Sequence, residues 1–160
     1  MDKEVLSGLT EEFLRYFAKK NNLEDKQIPQ VNFIMDDMYA KDPFGKTAYY
    51  NPQTSKIFVY IPGRHYKDIL RSVAHECIHH LQNLRGDLNN PGKMGKKYAQ
   101  ENRKMREMEK EAYLEGNMTF RDWTDTRESD ALTESLSLDN DLLISERNHK
   151  MYYKLVNKWI

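Results

Sequence analysis

Two periods of apolar residues alternate along the chain. Between positions 9 and 21, Phe13, Leu14, Phe17 and Ala18 recur at helical spacing. Thr10 is suited to cap that helix, Glu11 and Glu12 to fill its first turn, and Asn21-Asn22 to end it. Over 28–36 the period shortens to two, with Val31, Phe33 and Met35 alternating with Asn32, Ile34 and Asp36, which predicts a strand. Lys41-Asp42-Pro43-Phe44-Gly45 reads as a loop. Residues 46–61 read as a β-hairpin: Thr47–Tyr50, a turn over Asn51–Ser55, then the β-branched and aromatic arm Lys56–Ile61, stopped by Pro62-Gly63.

The helical period returns over 66–85. Ile69, Leu70, Val73, Ala74, Cys77, Ile78, Leu81 and Leu84 fall three or four apart, and Gly86 supplies a stop. Residues 86–97 hold three glycines and a proline and predict a loop. A long polar helix is expected from Tyr98 to Asn117. Residues 121–141 show no clear period, and 142–159 carry a last apolar pattern in Leu142, Leu143, Tyr152, Leu155, Val156 and Trp159. The order of elements predicts one α+β domain over 1–160: a small sheet on two core helices, with the 142–159 helix packed on it.

Inside the 66–85 helix lies His75-Glu76-Cys77-Ile78-His79, an H-E-x-x-H pattern. Positions i and i+4 share a helix face, so both imidazoles can reach one metal ion, while Glu76 turns to the open side and can act as general base toward water. The chain has one cysteine, which excludes an internal disulfide framework and a cysteine-rich zinc site. The expected cofactor is therefore one Zn²⁺ per chain on histidine and carboxylate, with an open position for water. No glycine or histidine follows His79 at the spacing H-E-x-x-H-x-x-G-x-x-H requires, so that class is excluded. The third ligand must then be a downstream carboxylate: Glu107, Glu109, Glu111 or Glu115. Met105, Met108, Ala112 and Gly116 share one helix face, and Glu109 sits beside them. Glu109 is the choice, with Glu111 the alternative.

A strand, an H-E-x-x-H helix and a helix bearing Glu109-Lys110-Glu111-Ala112 resemble the gluzincin-type zinc metallopeptidases. The pattern is similar to their small intracellular members, the minimal gluzincin and ImmA/IrrE-like domains, over about half of the chain. The resemblance implies a zincin-like fold with His75, His79 and Glu109 as zinc ligands and Glu76 as general base. Many members carry Asp or Asn after the alanine to orient a ligand histidine; Tyr113 stands there, leaving no carboxylate assigned to His75. The resemblance further implies an edge strand that pairs with an extended peptide, for which Ile57, Phe58, Val59, Tyr60 and Ile61 are the candidates. Tyr113 and His149 are the candidate donors to a tetrahedral intermediate.

Other groups read more plainly. His80 points about 100° away from His79 on the helix and reads as a surface histidine, or as a group supporting a ligand, rather than as a ligand itself. Cys77 reads as a buried small hydrophobe. His65 precedes the helix, where it could cap it or line a cleft. Lys93, Lys96 and Lys97 lie in the glycine-rich loop, with no phosphate-binding pattern around them.

The charge balance narrows the partners. Twenty-five basic side chains meet 25 acidic ones, for a net charge of zero. That excludes a polyanion binder held by bulk charge, so nucleic acid is not the expected partner although 93–110 is rich in Lys and Arg. The acidic residues gather instead over 122–146. No apolar run suggests a membrane span or a secretory signal, so the expected compartment is the cytoplasm and the expected partner a peptide or protein substrate. The expected activity is metal-dependent hydrolysis of a peptide bond. The alternative is a catalytically silent, metal-stabilised binding or assembly module.

Overall fold

A computed structural model describes residues 3–36, 47–88 and 98–156, with side chains in the last segment described from 103 to 134. The described residues form an α+β structure of three α-helices and a three-stranded mixed sheet. The chain divides into two compact units, 1–123 and 124–160. The first contains the sheet and every site residue discussed below except His149. The expected loop lysines Lys93, Lys96 and Lys97, and the loop at 41–45, lie outside the described residues. No helix among the described residues is long and apolar enough to cross a membrane.

Helix α1 spans Lys3–Lys20, beginning six residues before the expected start. Thr10 is therefore not its cap. It is buried in mid-helix, and its hydroxyl donates back to the Leu6 carbonyl at 2.7 Å. Leu6 is in phase with Phe13, Leu14 and Phe17, and all four are buried. The helix ends as expected at Asn21-Asn22. Asn22 takes φ 54°, and the Leu23 amide returns to the Ala18 carbonyl, a left-handed end that asparagine tolerates.

Strands β1 (Gln30–Ile34), β2 (Ala48–Asn51) and β3 (Lys56–Tyr60) pair in the order β1-β3-β2. β2 and β3 form the expected antiparallel hairpin, while β1 runs parallel to β3. β3 is thus central. Ile57 and Val59 are fully buried in the core, and Phe58 stacks on Tyr49 across the hairpin at 4.8 Å.

Helix α2 (Tyr66–Leu84) lies across the sheet. Its buried stripe of Ile69, Leu70, Val73, Ala74, Cys77 and Ile78 matches the spacing in the sequence. His65 caps its start, the ring nitrogen Nδ1 accepting from the Lys67 amide. Its end is a complete left-handed cap: Gly86 at φ 83° donates to Asn83 O, and Asp87 donates to Gln82 O.

Helix α3 spans Tyr98–Val156, running from the first expected helix through the stretch after it and into the expected 142–159 helix. Side chains at 135–156 are not described. Within the first unit, α3 joins the core through Ala112, Phe120 and Trp123, and Phe13 packs edge-on to Trp123 at 5.5 Å. Burying each such aromatic contributes about 1.5–3 kcal/mol. Contacts between Gln82 and Met108, and between His75 and Gly116, set α3 antiparallel to α2. The site lies along that seam.

Candidate metal centre

The periodic stripe of α2 faces the sheet, so the opposite flank carries His75 and His79 toward α3. Glu109 comes from α3, three residues before the fully buried Ala112. The helices close on each other because small residues line the seam. A β-carbon at Gly116 would sit 3.0 Å from the His75 Cα.

His75, His79 and Glu109 form a group whose ligand atoms all lie within 4.8 Å of one another. The two Nε2 atoms are 3.2 Å apart. Glu109 offers one oxygen to each, Oε2 at 3.4 Å from His75 and Oε1 at 3.4 Å from His79. Neighbouring donors on one ion with metal–ligand bonds of about 2.0–2.1 Å stand about 3.3–3.4 Å apart. Each Nε2 has that separation from one carboxylate oxygen, so the group could hold a metal ion. Burial and the neighbouring His79 both hold the His75 pKa below its ordinary value, against the opposing pull of Glu109. The neutral imidazole, the form that ligates, is the favoured one.

These groups open on a cleft of about 710 Å³. Glu76 lines it beside the two histidines and is itself 7% exposed. Tyr113 lines it too, its ring edge-on to His75 at 5.1 Å, while the side chain as a whole is exposed. Thr47, Arg71, Ser72 and Asn117 give the cleft a polar end, and Pro52, Leu88, Met105 and Met108 an apolar one. Arg64 braces the polar end, donating to the carbonyls of Thr47, Tyr60 and Asp68 and to the Ser72 hydroxyl.

Two expectations are corrected. Ile57, Phe58, Val59, Tyr60 and Ile61 are not an edge: β3 has β1 on one side and β2 on the other, so its backbone groups are already paired. The strand that borders the cleft is β2. The pairing of Tyr60 N–H with Thr47 O makes 47, 49 and 51 the residues that bond to β3, which turns the backbone groups of Ala48 and Tyr50 to the other side. Glu111, the alternative ligand, is turned away from the group. Its carboxylate accepts from both ends of the Arg85 guanidinium, at 2.8 and 2.9 Å, and from Gln82. The Arg85 partnership holds its pKa below the ordinary carboxylate value. Glu107 pairs with Arg103 on the surface and Glu115 is exposed. The side chain of His149 lies outside those described.

Three side chains around the site were not singled out in the sequence. Gln82 is fully buried and bonds His79 Nδ1 at 2.8 Å; its only signal is a position three residues after His79. Tyr50 and Asn83 form a chain with His80: Asn83 donates to the Tyr50 hydroxyl, which lies 2.9 Å from His80 Nδ1. His80 is buried rather than exposed, and its Nε2 donates to Gln27 O at 2.6 Å, tying α2 to the turn before β1. Cys77 is fully buried, and burial pushes its thiol pKa far up, so it stays protonated and inert.

Compared with known proteins, the chain matches no family model, no curated protein and no solved structure.

Proposed function

We propose that the chain is a zincin-like metallopeptidase that hydrolyses peptide bonds with one Zn²⁺ per chain. The observation that carries this reading is the convergence of His75, His79 and Glu109 within metal-binding reach of one another, in a cleft that Glu76 also lines. A scaffold that used metal only for stability would need the three donors and no carboxylate beside them.

Zn²⁺ held there would polarise the scissile carbonyl and lower the pKa of a water. The remaining chemistry belongs to the chain. Glu76 takes the proton of the attacking water and delivers it to the leaving amine. Tyr113, beside His75, donates its hydroxyl to the oxyanion as it forms. The outward backbone groups of Ala48 and Tyr50 pair with an extended peptide and lay it along the cleft. His75, His79 and Glu109 would hold the ion as its three protein donors.

The test is Glu76→Gln, assayed on a mixed peptide library with zinc content measured alongside. Retained zinc with turnover reduced roughly 10²–10⁴-fold is the expected result. Unchanged turnover would remove Glu76 from the mechanism. Zinc binding with no turnover by either protein would favour the binding-module alternative.

A further inference from the structure

Gln82 makes three hydrogen bonds that together leave its orientation no freedom. Its amide nitrogen lies 3.0 Å from Met108 O and 2.9 Å from Glu111 Oε2. A backbone carbonyl can only accept, and so can a carboxylate held in the fork of Arg85. The nitrogen end of the amide must therefore face α3. The oxygen end then faces His79 Nδ1, 2.8 Å away. An amide oxygen cannot donate, so the proton of this bond sits on Nδ1. The lone pair of the neutral ring is left on Nε2, the atom that faces His75 and Glu109.

We propose that Gln82 is a positioning residue: clamped by Met108 O and the Arg85-paired carboxylate of Glu111, it fixes His79 as the Nδ1–H tautomer and aims a bare Nε2 at the metal position. The inference rests on the metal-site reading above, but the tautomer is a property of the metal-free chain. It also explains why an amide, and not a carboxylate, supports the ligand. A carboxylate could accept from His79 equally well, but its second oxygen would then face two acceptors. Only an amide is an acceptor at one end and a double donor at the other. Partners of this kind set the tautomer and orientation of ligand histidines.

Long-range proton–nitrogen NMR on the metal-free protein at mildly alkaline pH reads the tautomer directly. The expected spectrum has the His79 proton on Nδ1. Gln82→Met abolishes that preference and weakens Zn²⁺ binding roughly 10–100-fold in competition with a chromophoric chelator. Gln82→Glu also weakens it, whereas a residue acting only as an acceptor would be improved by the added charge. A His79 proton found on Nε2 overturns the proposal, as does Gln82→Met with unchanged tautomer and affinity. Should Gln82→Met fail to fold, the spectrum of the unaltered chain still decides. An Nδ1–H spectrum from a chain that binds no Zn²⁺ would uphold the clamp on the His79 tautomer and refute the metal-site reading on which the aim toward a metal rests.

Discussion

Gly116 and His75 touch backbone to backbone: a β-carbon on Gly116 would lie 3.0 Å from the His75 Cα and 3.1 Å from its amide nitrogen. His75 thus sits where α2 and α3 approach with no side chain between them. In an ordinary helix, Gly→Ala gains about 0.5–1 kcal/mol. At this position the new methyl meets main-chain atoms that cannot swing aside, and overpacking of that kind costs about 1–3 kcal/mol. The net effect of Gly116→Ala is therefore destabilising, and the helices move apart at the metal position. Urea unfolding of the metal-free variant is expected to show a lower midpoint, and chelator competition a weaker Zn²⁺ affinity.

His80 makes the fold sensitive to acid. Burial holds its pKa below the ordinary 6.5, with the bond to Gln27 O opposing in part. The unfolded chain therefore binds this proton more readily than the folded one. The stability contributed by neutral His80 is complete above about pH 6.5 and is lost as pH falls through that value toward the folded pKa. His75 pulls in the same direction. Metal-free protein is expected to unfold at lower urea at pH 5.5 than at pH 7.5. His80→Gln, which gives up the two bonds of the imidazole at a cost of about 1–3 kcal/mol, is expected to flatten that dependence. An equal slope in both proteins would place the pH dependence elsewhere.

The cleft edge can be probed without disturbing the sheet. The backbone groups of Ala48 face away from β3. Ala48→Pro removes an outward N–H and leaves the ladder bonds of 47, 49 and 51, an arrangement edge strands accept. One hydrogen bond to a peptide contributes about 0.5–1.5 kcal/mol, so KM should rise roughly 2–12-fold with kcat little changed. A comparable substitution in central β3, such as Phe58→Pro, should prevent folding because it removes a ladder bond between two neighbours.

The parts of this structure legible in the sequence are those set by local period. The spacing of Ile69 through Leu84 located α2, and with it the shared face of His75 and His79. Helical phase chose Glu109 over Glu111 because Ala112 and Gly116 marked the seam. Lateral order is a different kind of information. Nothing in the alternation of a hairpin states which arm acquires a third strand. Thr10 misled because the same hydroxyl that caps a helix can also bond backwards within one. Gln82 was silent because its role depends on Met108, Glu111 and Arg85, which reach it only in the folded chain.

The proposed assignment of one metal ion to His75, His79 and Glu109, with Glu111 outside the donor set, leads to a direct measurement. It is tested most directly by the zinc content of the purified chain beside Glu109→Ala and Glu111→Ala, with excess metal dialysed away. The expected result is one zinc per chain, a near-complete loss in Glu109→Ala, and retention with a weaker affinity in Glu111→Ala, where Gln82 loses one of its anchors. Far less than one zinc in the unaltered chain, or loss in Glu111→Ala with retention in Glu109→Ala, would contradict it.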